Sequence, residues 1–326
     1  MAFSQKNGLD ALLNRPEQEP LLTRLRNLPA RTIATYLYTQ RYTLSQKNCS
    51  PDQAPLRIVC ISDTHNTTPT LPDGDILIHA GDLTQSGTLA EIQAQIDWLD
   101  SQPHKYKVVI AGNHDLCLDL KFALLPSADW SYSGRGIVDW KELIYLENDS
   151  TVLKFEDGHN GSREVKVFGS PYTPKHGNWA YQYPRTNASF WAEINITEDT
   201  DILITHGPPK GHLDLGHLGC AYLRQRLWNM RRRPKLHVFG HIHGGYGTEI
   251  AKWDPMQRTY ENFLDGRSGL LGFFFLVCFW LSDWLRGIFI GGRSAGQQTA
   301  HTVMVNAAAV GGVRDEKSRK AIVVDI

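Results

Sequence analysis

The sequence predicts a layered α/β fold, and three observations carry that prediction. Six apolar runs rich in β-branched residues recur along the chain, helical patterns lie between several of them, and five of the runs end on an Asp, Asn or His. Near-continuous apolarity marks strands covered on both faces. Alternation with helices marks sheets whose chemistry gathers at the carboxyl ends of the strands.

Residues 1–54 read as an N-terminal extension. Its stretch LLTRLRNLPARTIATYLYTQRYTL (21–44) is amphipathic, broken by Pro29, and basic without acidic residues. A helix packed on the main domain is the preferred reading, with a membrane surface or an organelle address as the others. No apolar h-region precedes it, so a secretory signal is not expected.

The main domain spans 55–326. Its strands are LRIVCIS (56–62), DILIHA (75–80), YKVVIA (106–111), VKVFGS (165–170), DILIT (201–205) and KLHVFG (235–240), then TVMVNAA (302–308) and AIVVDI (321–326). TLAEIQAQIDWLDSQ (88–102) and CAYLRQRLWNMRRR (220–233) carry helical periodicity between them. An insertion, 251–300, interrupts this order. Within it SGLLGFFFLVCFWLSDWLRGIFIGG (268–292) is the most apolar segment of the chain, cut by Asp283 and Arg286. Three readings stand for it: a hairpin lying on a membrane, core packing, or a true span.

Composition excludes some classes. The 326 residues carry 34 basic and 34 acidic side chains, so no global field attracts a nucleic-acid polymer, and none is expected as a partner. The five cysteines show no CxxC spacing, which argues against a structural zinc knuckle and fits a reduced, intracellular and cytoplasmic setting, peripheral or anchored if 268–292 meets a membrane.

The strand ends carry the chemistry. They read Asp63-Thr64-His65, Gly81-Asp82, Gly112-Asn113-His114-Asp115, Thr205-His206-Gly207 and Gly240-His241-Ile242-His243. Asp63, His65, Asp82, Asn113, His206, His241 and His243 are seven candidate ligands, enough for two ions that share one carboxylate. Asp82 is the natural bridge. The mixed nitrogen and oxygen set without thiolates suits Zn, Fe or Mn. Two such ions make a nucleophile from water at neutral pH and neutralise phosphoryl charge.

In that order the motifs resemble the calcineurin-like metallophosphoesterase superfamily over about 56–250 and 302–326. The resemblance implies a four-layer α/β/β/α sandwich with a dinuclear metal site at the strand ends. It places one ion on Asp63, His65, Asp82 and His243, and the other on Asp82, Asn113, His206 and His241. His114 would stand beside the phosphoryl group, oriented by Asp115. GDLTQSG and GNHD differ from the Ser/Thr protein phosphatase pattern. GSPYTPKHGNWAY (169–181), THGPPKGHLD (205–214) and LHVFGHIHGGYG (236–247) look instead like the 239FB-type metallophosphodiesterase branch and its fungal relatives.

The expected activity is therefore hydrolysis of a small phosphate ester, a diester before a monoester, by a hydroxide held between two metals. His212, Tyr172 and Trp179 are candidate substrate contacts. Two other readings are a lipid-like or biosynthetic ester handled at a membrane, and a membrane-associated scaffold with incidental activity.

Overall fold

The computed structural model describes residues 18–40, 55–123, 138–157, 161–289, 301–312 and 315–326. Two mixed sheets face each other. The first contains β1 (Arg57–Ile61), β2 (Ile76–Ala80), β3 (Tyr106–Ile110), β4 (Ile144–Tyr145) and, at its far edge, the strand Ile322–Asp325. β1, β2, β3 and β4 run parallel in that order, and Ile322–Asp325 closes the β1 edge antiparallel, with Arg57 opposite Asp325.

The second sheet has six strands. They are β5 (Asp149–Asp157), β6 (Gly161–Ser170), β7 (Ile202–Thr205), β8 (Leu236–Phe239), β9 (Gly247–Ala251) and β10 (Thr302–Asn306). Across the sheet they are ordered β9-β10-β8-β7-β6-β5, with β6, β7, β8 and β10 parallel and the two edges antiparallel. The remaining long strand, Ile322–Asp325, is hereafter β11.

Side-chain alternation builds the layers. Ile58 and Cys60 of β1 point into the space between the sheets, where they join Ile76, Ile78, Val108, Val167, Ile202, Ile204 and Val238. Val59 and Ile61 point the other way, onto Ile92, Ile96 and Leu99 of a helix. On the second sheet Leu203, Phe239 and Met304 turn outward onto Leu223 and Leu227. The result is the four-layer α/β/β/α sandwich that the sequence led us to expect.

Helix ends follow their caps. In chain order the longer helices are α1 (Leu21–Asn27), α2 (Pro29–Thr39), α3 (Leu89–Asp100), α4 (Ala221–Asn229), α5 (Pro255–Leu264) and α6 (Gly269–Phe289). Pro29 opens α2 and Pro255 opens α5, each in the first helical turn where a missing N–H costs nothing. Thr88 and Glu91 cap α3 reciprocally, a capping box.

The two segments outside the sandwich meet each other. Ala34 and Tyr38 of α2, Met256 and Tyr260 of α5 and Leu276 of α6 form one small buried cluster. Residues 1–17, 41–54 and 290–300 of the expected extension and insertion lie outside the described residues. Within the apolar segment, Gly269–Phe289 departs from the hairpin reading: these 21 residues form a single helix, α6, lodged against α2 and α5. Among the described residues no helix is long and apolar enough to cross a membrane.

Two long strands were not foreseen. β5 and β9 are edge strands whose residues alternate between buried and solvated, so neither offers a continuous apolar run.

Candidate metal centre

Parallel pairing places the carboxyl ends of β1, β2 and β3 side by side, and does the same for β7, β8 and β10 in the other sheet. The two sets are stitched together at that end. Ser62 N–H donates to Ala307 (3.0 Å), Ala309 N–H donates to Ser62 (2.7 Å), and His206 Nδ1 meets the carbonyl of Ala80 at 2.9 Å. Residues from both sheets therefore converge on one polar rim.

All seven expected ligands reach that rim. Asp63, His65 and His243 can surround one point, and Asp82, His206 and His241 a second; His65, Asp82 and His114 form a third, overlapping group. Asp82 stands between the first two, its Oδ2 3.8 Å from His65 Nε2 and 3.3 Å from His206 Nε2. Asn113 Oδ1 lies 3.1 Å from that same His206 nitrogen. Asp63 Oδ1 lies 3.0 Å from His243 Nε2.

Four of the imidazoles share one orientation. His206, His65 and His114 turn Nδ1 toward the carbonyls of Ala80 (2.9 Å), Thr84 (3.2 Å) and Gln85 (2.9 Å). His243 turns Nδ1 toward the Asp315 carboxylate at 3.4 Å. An Nδ1–H held in this way fixes the tautomer that presents Nε2 as a ligand atom.

Backbone conformation aims the side chains. Asp63, His65, Asp82 and His241 have φ of 52°, 43°, 52° and 65°, the left-handed region that costs a non-glycine residue about 1–3 kcal/mol. The turns also need their glycines. A Cβ on Gly240 would lie 1.9 Å from Asp63 Oδ2, and one on Gly112 would lie 2.2 Å from the Asp82 nitrogen.

The electrostatics fit cations. Asp63 and Asp82 are buried, and among the described residues their ion-pair partners are histidines, with no Lys or Arg. Burial pushes both carboxyls up, but His243 at Asp63 and His206 at Asp82 outweigh it and hold both well below the usual carboxylate range. His206 responds in kind: burial lowers it, yet Asp82 and Asp63 drive it up to about 9. His241 is pulled down to about 3 by burial and by the charge of His206. Two buried carboxylates without a permanent counter-charge carry a large desolvation cost that bound cations offset. The residues present thus fit divalent metal ions.

Other expected site residues fall in different places. Trp179 stacks on His114, centroids 4.2 Å apart and planes at 27°, and is partly exposed. Asp115 does not touch the His114 ring. Its buried carboxylate instead accepts from the backbone of Gly112 (2.7 Å), Leu83 (3.2 Å) and Thr84 (3.0 Å) and from the Thr84 hydroxyl (2.8 Å), tying two ligand loops together. Burial and the nearby Asp82 charge raise it to about 6. His212 is fully buried, with Nδ1 2.6 Å from Glu249 and Nε2 3.0 Å from Glu261, so the expectation that it meets substrate is corrected. Tyr172 is half-buried, edge-on to Tyr181 and 3.4 Å from Glu147 through its hydroxyl.

Three supporting residues were not anticipated. Asn306 donates to the carbonyls of Ile242 (2.9 Å) and Leu213 (3.0 Å) and so fixes the His241–His243 turn. Arg319 donates to the His243 carbonyl at 2.6 Å, and Asp315 faces its ring. Asn306 ends β10 as the other polar residues end their strands, and that pattern would have found it. Arg319 and Asp315 sit in a loop with no such signal.

Comparison with known proteins adds an independent line. The sequence model of the calcineurin-like phosphoesterase family matches residues 56–245. A protein of Emericella nidulans named probable rhamnogalacturonate lyase C is 54% identical over 320 residues, which are 98% of this chain and 29% of that protein. Metallophosphoesterase domain-containing protein 1 of Homo sapiens is 41% identical over 203 residues, 59% of this chain and 61% of the human one. UPF0046 protein K07C11.7 of Caenorhabditis elegans is 36% identical over 221 residues, 64% of this chain and 71% of that protein. The chain spans less than two thirds of the length of the first two relatives.

Proposed function

Because this chain belongs to the calcineurin-like phosphoesterase family, we propose that it is a metal-dependent phosphoester hydrolase acting on small phosphodiesters. One observation carries the proposal: ligand atoms from both sheets converge in two groups with the Asp82 carboxylate between them. Asp63, His65, Asp82 and His243 would hold one divalent ion, and Asp82, Asn113, His206 and His241 the other. Zn, Fe and Mn suit this donor set equally. Ions bound in these places would lower the pKa of water and neutralise charge on a phosphoryl group.

The chain's own residues supply the rest. His114 gives Nδ1–H to the Gln85 carbonyl, so that the doubly protonated ring would deliver its Nε2 proton to the departing ester oxygen. Trp179 holds the His114 ring from one side and would cover an aryl or nucleoside leaving group. Asp115 acts as a positioning residue by locking the Gly112 and Thr84 turns that carry Asn113 and Asp82. The diester preference follows the resemblance of residues 169–181, 205–214 and 236–247 to the metallophosphodiesterase branch.

The test is hydrolysis of bis-p-nitrophenyl phosphate against p-nitrophenyl phosphate with and without Mn²⁺. Metal-dependent turnover, faster on the diester and reduced at least about 100-fold in Asp82→Ala and His241→Ala, is expected, since changes one shell further out already cost up to about that much. Turnover that survives both substitutions, or is faster on the monoester, would count against the proposal.

A further inference from the structure

The surface formed by α1, α2 and α6 is the most unusual outside the rim. Of the sixteen large apolar side chains exposed among the described residues, twelve belong to these three helices and a thirteenth, Leu28, joins α1 to α2. Leu22 is 82% exposed, Tyr36 59%, Leu270 81%, Leu271 64%, Phe274 59% and Trp284 53%. On α6 the exposed apolar positions recur at three- and four-residue spacing, one stripe of a helix whose other side packs through Leu276. A face this apolar marks an interaction surface.

We propose that this face docks on an anionic lipid surface. Charge argues for that occupant. From Leu21 to Thr39 the chain contains no acidic residue; Arg24 and Arg26 lie in the last turn of α1, while Arg31 turns back to donate to the Gly216 carbonyl. α6 contributes one acidic residue, Asp283. Its Trp280 and Trp284 stack with centroids 6.5 Å apart. An apolar stripe with tryptophan beside basic residues suits the boundary between headgroups and acyl chains. Such a helix lies on the bilayer rather than crossing it, in keeping with α6's anchorage to α2 and α5.

Other occupants fit less well. The stretches 1–17, 41–54 and 290–300 carry eight large apolar residues (Met1, Phe3, Leu9, Leu12, Leu13, Tyr42, Leu44 and Ile290), fewer than the thirteen side chains to be covered. A symmetric second copy would bring the same patch against itself. That arrangement gathers Arg24 and Arg26 with no acidic residue of α1 or α2 to answer them.

Sedimentation of the full chain with vesicles tests the proposal. Phosphatidylcholine–phosphatidylserine vesicles should pellet the protein at low salt, more than phosphatidylcholine alone, with binding weakened as salt rises. Leu271→Glu with Phe274→Glu should lower binding at least about tenfold. Arg24→Glu with Arg26→Glu should lower it about fivefold or more for each charge. Both variants should hydrolyse a soluble diester like the parent protein, which shows that they fold. No binding to either vesicle, or binding unchanged in the Leu271/Phe274 variant, overturns the proposal. So does a micromolar dimer that this variant dissolves while vesicles pellet nothing, because the face would then be an interface between copies.

Discussion

The metal-binding rim and the α1–α2–α6 face are two solutions to opposite problems. The rim buries carboxylates and imidazoles with their hydrogen bonds assigned, on strained backbone, between glycines that leave no room for a Cβ. The helical face exposes leucines and aromatics over a small core of five buried residues. Strand ends held by two sheets can enforce sub-ångström placement. A satellite of three helices joined to the body by a few contacts cannot, and it needs no such precision to meet a soft surface.

That contrast breaks most sharply at Gly240. Gly240→Ala would force a Cβ into Asp63 and Ser62. We expect loss of bound metal and of diester hydrolysis by at least about 100-fold, measured by elemental analysis and kinetics on the same sample. An active, metal-replete variant would mean that the rim is looser than its geometry.

The joint between the regions comes next. His212, on the loop after His206, lies between Glu249 of β9 and Glu261 of α5. His212→Ala leaves two buried carboxylates without their shared partner and should cost about 3–5 kcal/mol in urea unfolding. Burial lowers the His212 imidazole, but Glu249 and Glu261 raise it to about 10. The raised folded value sets the sign. Its stabilisation is complete below the unfolded value of about 6.5, falls as pH rises, and is gone once pH passes the folded value. Unfolding of the parent and of His212→Gln followed from pH 6 to 10 (~4 units) should show a steeper slope in the parent, the remainder in the variant coming from His206.

Within the satellite, Leu276→Ala removes a fully buried side chain and should cost about 2–5 kcal/mol. Hydrogen exchange should locate that loss in α2, α5 and α6, with the rim still protected. The smallest effect belongs to Trp179→Ala. It strips one stacked, partly exposed ring from His114 and should slow turnover by a few-fold, in line with about 0.5–1.5 kcal/mol for such pairs. An effect as large as that of a ligand would place Trp179 inside the reaction rather than beside it.

The two regions also differed in how far the sequence could be read. Asp63, Asp82 and His206 were legible because each closes an apolar run, and a parallel sheet leaves such residues on one edge. The runs showed an α/β layer structure, and the family resemblance supplied its four layers. Asp115 and His212 were named but given the wrong contacts: a motif fixes a residue's place in the chain, while its hydrogen bonds depend on the loop opposite. β5 and β9 were missed because half of each faces water. The α6 segment was visible as apolar, yet its partner α2 lies more than two hundred residues earlier, and nothing local links them.

The pairing of β1 with β11 bears on how the protein is made. β1 holds the first ligand loop, and its outer edge stays unpaired until Ile322–Asp325 has been synthesised. At roughly 5–20 residues per second that wait is on the order of tens of seconds. β9 waits likewise for β10, which is read after the whole apolar helix α6. Throughout, Ile58 and Cys60 belong to an open strand edge on the ribosome, a template for pairing with other nascent chains. Production of this protein is thus a matter of chaperone supply and translation speed as much as of the stability of the finished sandwich.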